Sequence, residues 1–444
     1  MSTVASTSES DKTQIQLQFF TKQPQYSVPD VPYAVPSEIS IEELNSLINQ
    51  LIKESDLHDE IKKSIEFDFL AAGEFIRTSL GEHISIHGLS TETVLSVEYV
   101  ERLPAPKPLD CLLHDDWVSA VHSTDKWILS GCYDNTLHLW TAKGKHLMTI
   151  PGHTGAVKAV SWVASCDDIT TFVSASRDQT LLLWEWNTNE NTVECVKTCK
   201  GHAEAVECVG VSKDNQRFAS GGWDNMLKIW STTMSEEKDG EDNEDDEESE
   251  AKKFKNDGQS QIKTPKVTLK GHKEAVTAVC WLDNHDLVTS SMDHTLRLWD
   301  TEMSTTTREL AGNKAFFDVH VSPISKLLIT ASSDKYVRMY DPRSTEGTIC
   351  KLTFTSHQAW VTTVRWSTNE ENLFISGSYD HQVKLWDTRS TKVPMFDLSG
   401  HEDNVLCSDW TNPELIVTGG SDNSLRIYRA SSLQRKSPQN QESS

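Results

Sequence analysis

Seven times in the 444 residues an Asp is followed six positions later by Trp or Tyr: Asp134/Trp140, Asp178/Trp184, Asp224/Trp230, Asp293/Trp299, Asp334/Tyr340, Asp380/Trp386 and Asp422/Tyr428. Four residues before each Asp stands a hydroxyl, in order Ser130, Ser174, Ser220, Thr289, Thr330, Ser376 and Thr418. A His lies 20 to 25 residues upstream of six of these Asp residues (His114, His153, His202, His272, His357 and His401), and Val follows each at the fourth position. Asn313 stands where the fifth unit should have its His. His, Ser and Asp are the members of a hydrolytic triad. A hydrolase, however, needs one such set with an exposed nucleophile, and here the set returns in every unit. There is also no Walker loop, no His-Glu-x-x-His and no isolated nucleophile with a base. The pattern therefore reads as structural, and the chain as no enzyme.

Such a repeat needs a repeated supersecondary unit. Between the marks lie short β-branched and aromatic runs bounded by turn residues, as strands require. In the second unit they are 156–162, 171–175, 180–186 and 193–198. Four strands per unit make a propeller blade. With Gly-His at one end (Gly152-His153, Gly201-His202, Gly271-His272, Gly400-His401) and Trp-Asp at the other (Trp299-Asp300, Trp386-Asp387), residues 104–430 resemble the WD-repeat family. The resemblance implies a seven-bladed β-propeller in which His, Asp, hydroxyl and indole form one hydrogen-bond chain per blade. The members are His153, Ser174, Asp178 and Trp184; His202, Ser220, Asp224 and Trp230; His272, Thr289, Asp293 and Trp299; and His401, Thr418 and Asp422. It also implies that an N-terminal strand, expected at 106–112, completes the seventh blade, whose other three strands come from 404–429. An open ring would leave two exposed strand edges.

Successive Asp marks are 44, 46, 69, 41, 46 and 42 residues apart. The excess in the third interval is an insert at 235–263, between the third and fourth strands of the third blade. Residues 236–250 hold eleven Asp or Glu and one Lys. Like charges in a block with few apolar residues cannot form a core, so the insert reads as a disordered loop. It is a solvated tether or, alternatively, a docking strip for a basic partner such as a ribosomal protein or histone. The basic cluster Lys252-Lys253-Phe254-Lys255 follows it.

Residues 13–100 carry none of the marks. Gln14 to Phe20 alternates as a strand, Ser40-Ile41-Glu42-Glu43 is a capping box, and Ile41, Leu44, Leu47, Ile48, Leu51 and Ile52 form one apolar helix face. With further strands at 67–70 and 94–100, the expectation is a small ubiquitin-like β-grasp (α+β) domain. Residues 1–12 and 431–444 read as disordered ends, and 101–105 as a linker that opens the Pro-rich run from Pro104 to Pro108.

Phe19-Phe20-Thr21, Phe67-Asp68-Phe69-Leu70, Arg77-Thr78-Ser79-Leu80, Gly88-Leu89-Ser90-Thr91-Glu92, Val97-Glu98-Tyr99 and Asp116-Trp117-Val118 look like one eukaryotic family. It is the ribosome-biogenesis WD-repeat protein that assembles with Pescadillo and the block-of-proliferation protein. The resemblance implies a nucleolar and nucleoplasmic assembly factor on the large-subunit pre-ribosome, needed for maturation of large-subunit rRNAs. Its propeller binds the block-of-proliferation protein, and its ubiquitin-like domain docks midasin, an AAA-type ATPase that removes the factor. The docking ligand of the family matches Glu92, a carboxylate that completes the coordination of a divalent cation, Mg²⁺, held by midasin. No cofactor of the chain's own is implied. Glu74, Glu82, His83 and His87 read as solvated surface nearby.

Composition narrows the partners. A formal charge of −24 opposes nonspecific binding to phosphate backbones, so RNA contact is expected mainly through partners, unless Arg338, Arg343, Arg365 and Arg389 share one face. The nine Cys show no Cys-x-x-Cys or other metal-ligand spacing and read as reduced thiols. No run approaches a membrane span, and the polar start MSTVASTSESDK does not read as a secretory signal. Trp386-Asp387-Thr388-Arg389 fits a Trp-Asp-x-Arg signature of propellers that serve as substrate receptors of cullin–RING ubiquitin ligases, which is the alternative function. Tyr340-Asp341-Pro342-Arg343 is a near miss to it.

Overall fold

The computed structural model describes residues 14–54, 64–166, 168–233, 261–344 and 350–430. The expectations for 1–12, for the acidic run through residue 260 and for 431–444 lie outside them. The chain divides into two compact units, the first holding the residues up to Pro104 together with Asp387–Pro394, the second holding Ala105–Trp386 and the described residues from Met395 on.

In the first unit, β1 (Gln14–Phe20), β2 (Pro32–Pro36), α1 (Ile41–Glu54), β3 (Phe67–Ala71), β4 (Glu74–Phe75), α2 (Leu80–His87) and β5 (Leu95–Glu101) follow in order. The sheet runs β2-β1-β5-β3-β4, with β1 and β5 parallel and the other pairs antiparallel. This is a β-grasp arrangement. Period-two alternation puts Ile15, Leu17 and Phe19 of β1 inside. The capping box closes reciprocally: Glu43 N–H donates to Ser40 Oγ (3.2 Å) and Ser40 N–H to Glu43 Oε2 (2.9 Å). Leu44, Ile48 and Ile52 then face the sheet. Asn45 and Asn49 stitch the helix to the chain entering β3, accepting from the N–H of Phe67 (2.7 Å) and Ile65 (2.9 Å) and donating to the same residues' carbonyls. Three elements were not placed by the sequence reading: β2, α2 and the two-residue β4. Glu101 also belongs to β5, not to a linker, because it pairs with Phe67.

The second unit is the propeller. β6 (Lys107–Leu113) pairs antiparallel with Ser424–Arg429 and supplies the fourth strand of blade 7. Lys107 and Pro108 of the Pro-rich run therefore lie in the ring. Blade 1 is β7 (Val118–Ser123), β8 (Trp127–Cys132), β9 (Leu137–Thr141) and β10 (His146–Ile150). Five further blades and the seventh repeat this order. The third blade passes from Met226–Ser231 to Val267–Lys270 across the insert. One part of the insert is ordered: Gln261–Lys263 pairs in parallel with Thr192–Lys200 as a fifth strand on blade 2. Residues 261–263 are thus strand and not disordered loop. No described helix is long and apolar enough to cross a membrane.

Adjacent blades lock through a small residue that follows each hydroxyl. A Cβ on Gly131, Gly221, Gly377 or Gly419 would stand 2.4 to 2.6 Å from Cγ1 of Val157, Val276, Val405 or Val118. Those are the Val residues four positions after His, so the Val mark is an interblade knob and the Gly its socket. Gly221→Ala is expected to cost about 1–3 kcal/mol by overpacking, read as a lower denaturation midpoint at unchanged slope.

Two histidines also join blades. Trp162 N–H donates to His122 Nδ1 (3.2 Å) and Trp366 N–H to His320 Nδ1 (3.0 Å). Burial, with Arg365 nearby, pushes His320 down to about 3, and burial also lowers His122. A depressed folded pKa gives stability that is complete above the unfolded value near 6.5 and is lost as pH falls toward the folded one. The thermal midpoint should therefore drop from pH 7 to pH 4. His320→Gln, which keeps an acceptor but takes no proton, should flatten that fall.

Candidate functional site

The recurring polar set comes together as a buried hydrogen-bond chain in five blades. In blade 2, His153 Nδ1 lies 2.8 Å from Asp178 Oδ2, His153 Nε2 lies 2.8 Å from Ser174 Oγ, and Trp184 Nε1 donates to that oxygen at 2.9 Å. His202–Asp224 (2.9 Å), His202–Ser220 (2.7 Å) and Trp230–Ser220 (2.8 Å) repeat it, as do His272–Asp293 (2.9 Å), His272–Thr289 (2.7 Å) and Trp299–Thr289 (2.8 Å). His357, Asp380, Ser376 and Trp386 form the same chain in blade 6. His401 meets Asp422 (2.9 Å) and Thr418 (2.8 Å), where the absence of an indole ends the chain.

Each Asp also closes the hairpin turn that follows it. Asp178 Oδ1 accepts from the N–H (3.0 Å) and hydroxyl (2.6 Å) of Thr180, and the intervening Gln179 sits at φ 72°. Burial disfavours charge on Asp178, Asp293 and Asp422, but hydrogen bonds from His and from Thr or Ser overcome it and hold these carboxyls well below the usual range. The hydroxyls themselves are fully buried. With His and indole both bonded to it, such an oxygen is satisfied structure and has no access to a substrate. Blades 1 and 5 depart from the pattern. Asp334, lacking a His, takes Arg338 (2.7 Å) instead, and His114 reaches Ser130 (2.9 Å) but not its Asp.

Glu92 occupies a loop between α2 and β5. Ser79 caps α2 by accepting from Glu82 N–H (3.3 Å), and Gly88 ends it in the left-handed region at φ 59°. Leu89 N–H then returns to the Ile84 carbonyl (3.0 Å), and the Leu89 side chain packs on the core. Ser90 Oγ accepts from Glu92 N–H (3.2 Å). The loop is thus fixed at its base, and Glu92 projects exposed. Among the described residues its carboxylate has no hydrogen-bond or ion-pair partner. Exposed Ile86 and Val94 flank it in sequence. A free carboxylate on a braced loop with an apolar border can offer an oxygen to a hard cation held by another protein. Of its neighbours, Glu82 is exposed, but Glu74 and His83 are buried and His87 partly so. His87 Nε2 lies 3.3 Å from Glu74 Oε2, and His83 packs under β3 with its pKa lowered by burial.

The four candidate RNA-facing arginines are all paired. Arg338 is on Asp334 (2.7 Å), Arg343 on Asp341 (3.1 Å), Arg365 on Asp318 and Arg389 on Asp387. Each guanidinium charge is thus offset by a neighbouring carboxylate, which opposes binding to a phosphate backbone. Arg389, the last residue of the ligase-adaptor signature, is held by an Asp387 that is itself fully buried.

Sequence reasoning missed a set of aromatics on one rim of the propeller. Trp117 and Trp360 stand three residues after the His mark, and Tyr133, Trp223 and Tyr379 one before the Asp. Trp117, Trp223, Trp360 and Tyr379 are 44%, 46%, 50% and 37% exposed. Trp360 stacks on Tyr379 with ring centres 5.8 Å apart. Their signal was large aromatics at repeat positions that hold Ala, Asn, Ser, Arg or Met in other blades. Exposed Trp and Tyr of this density are typical of protein interfaces.

Comparison with known proteins agrees with this architecture. Residues 15–84 match the NLE (NUC135) domain. Seven matches to the WD domain, G-beta repeat, cover 107–141, 144–185, 193–231, 263–300, 304–341, 348–387 and 392–429. The chain is 51% identical over 417 residues to the ribosome biogenesis protein WDR12 homolog of Aedes aegypti, covering 94% of this chain and 96% of that one. The homologs of Culex quinquefasciatus, at 51%, and Drosophila persimilis, at 49%, match over the same shares. An N-terminal NLE domain, a seven-bladed ring and half-identity along nearly the whole length converge: the chain belongs to the WD-repeat family of the WDR12 homologs.

Proposed function

We propose that the chain is a non-enzymatic assembly factor for the large ribosomal subunit, acting in the nucleolus and nucleoplasm in maturation of large-subunit rRNA precursors. The observation that carries this is the match, at about half identity over 94% of the chain, to proteins named for ribosome biogenesis. In this reading the propeller scaffolds Pescadillo and the block-of-proliferation protein, and the exposed aromatic rim supports it by offering a protein-binding surface. The β-grasp domain docks midasin. Glu92 fits that role because its carboxylate is free and its loop is braced; it would supply the last ligand to a Mg²⁺ that midasin holds. RNA contact runs through partners.

Affinity purification of the full chain tests the assembly role. Recovery of Pescadillo, the block-of-proliferation protein and large-subunit precursors is expected. Recovery of cullin and its adaptor without pre-ribosomes would overturn it. Trp223→Ala with Trp360→Ala should weaken partner recovery while the propeller stays folded, at a cost of about 1–3 kcal/mol from the lost Glu207 hydrogen bond (2.7 Å) and Tyr379 stacking.

A further inference from the structure

Blade 1 keeps the sequence marks but breaks the hydrogen-bond chain they encode. His114 Nε2 stands 2.9 Å from Ser130 Oγ, which accepts from Trp140 Nε1 (3.1 Å), as in the other blades. His114 Nδ1, however, is buried with no partner in hydrogen-bonding geometry, in a residue 8% exposed. In five other blades the equivalent nitrogen meets Asp Oδ2 at 2.8 or 2.9 Å. The difference sits four residues after the Asp. Other blades place Leu182, Lys228, Arg297, Arg338, Lys384 or Arg426 there, and blade 1 places His138, whose ring centre is 4.7 Å from that of His114.

His138 brings a second consequence. Its Nε2 lies 3.9 Å from Asp134 Oδ2, and one donor atom each of Cys132, Asp134 and His138 lies within 4.8 Å of the others. Among the described residues this is the one group of three such side chains so arranged. All three sit on a single hairpin: Cys132 ends β8, Asp134 occupies the turn and His138 lies in β9. The turn is fixed by Asp134 Oδ1, which accepts from Thr136 N–H (2.8 Å) and hydroxyl (2.7 Å), while Oδ2 faces His138 Nε2. On the far side of the ring, His138 Nδ1 lies 3.2 Å from Thr149 Oγ1 and 3.4 Å from His146 Nε2. His138 Nε2 lies 3.0 Å from Thr136 Oγ1, whose own proton goes to Asp134 Oδ1, so without a cation Nε2 carries the ring proton. A bound cation would shift that proton to Nδ1, where Thr149 Oγ1 or His146 Nε2 can accept it.

We infer that the Cys132–Asp134–His138 hairpin of blade 1 is a binding site for a divalent transition-metal cation of the zinc class, with a fourth position left open and His114, its ring 4.7 Å from that of His138 and its Nδ1 unpartnered, packed beside it. One thiolate, one carboxylate and imidazole nitrogen form a borderline-soft donor set, which suits Zn²⁺ and does not suit Mg²⁺ or Ca²⁺. A tetrahedral ion roughly 2.0–2.3 Å from each donor holds its ligands ~3.5 Å apart, so the hairpin need contract by only about an ångström. Regular metal spacing is absent because three residue types on two strands share the work. The site is independent of the docking carboxylate at Glu92, where the cation belongs to the partner.

The test is titration of chelator-treated full-length protein with Zn²⁺ against a chromophoric chelator, and with Co²⁺ followed by absorption. One equivalent should bind, with tetrahedral Co²⁺ bands and a thiolate-to-cobalt charge-transfer band. Cys132→Ser should abolish the charge-transfer band, whereas Cys350→Ser should leave it intact. His146→Ala, which removes an outer hydrogen-bond partner of His138 together with a ring packed on Trp140, should weaken affinity about 10- to 100-fold. Metal-free melting curves establish that each variant is folded; if Cys132→Ser is not, the Co²⁺ spectrum of His138→Gln decides in its place. Absence of stoichiometric uptake, or uptake indifferent to both Cys132→Ser and His138→Gln, would overturn the assignment.

Discussion

A chain beginning at residue 114 is expected to lose its folded propeller, whereas one beginning at residue 105 keeps it. The nine residues between them include all of β6, whose removal exposes Ser424–Arg429 as an open edge in blade 7. It also strips Leu112 from the cluster in which Leu425, Ile427, Val118 and Trp140 join the last blade to the first. The contacts that remain across this seam include Val118 against Gly419 and Cys407, Ser123 on Asp409 (2.9 Å from the N–H, 2.6 Å from the hydroxyl) and Asn412 Nδ2 to the Thr124 carbonyl (3.0 Å). They join neighbouring blades but do not cover the edge. The expected loss is of order 5 kcal/mol, a large part of the ~5–15 kcal/mol that holds a domain folded, with aggregation through the bare strand. Thermal melts and size-exclusion profiles of the two truncations check this. Equal midpoints would show that blade 7 closes without β6.

Sequence reached furthest where the signal was local or repeated. The marks placed every blade and the insert because each Asp must sit in the same hairpin turn and each Val in the same interblade socket. The Ser40/Glu43 box and the apolar face of α1 were legible for the same reason. What escaped was set by contacts distant in sequence. Gln261–Lys263 becomes a strand only because it meets Thr192–Lys200 of another blade. The eight residues of α2 bury just Leu80, His83 and Ile84, too little periodicity to mark a helix. Glu74 and His83 look like surface by residue type, yet the fold buries them. Blade 1 obeys every spacing and still breaks its chain, because the deciding residue, His138, lies at a position with no mark. Glu92 was legible only through family likeness: nothing in its own residue type separates it from Glu82, and the structure adds that its loop is braced and its carboxylate free.

The docking claim rests on that one carboxylate. A metal bridge concentrates binding on a single charge-bearing ligand, and removal of one partner from such a desolvated pair costs roughly 3 kcal/mol or more, about 100-fold in Kd. Glu92 lies outside the core and caps no helix, so its replacement should leave the fold unchanged. Glu92→Asp, one methylene shorter, should recover part of the affinity, and a chelator should abolish binding by the unaltered chain. The decisive measurement is the affinity of the full chain and of Glu92→Ala for the isolated metal-ion-dependent adhesion domain of midasin in Mg²⁺. Loss of binding with an unchanged melting curve, and retention of the variant on unreleased pre-ribosomes, is the expected result; undiminished binding by Glu92→Ala would contradict the account.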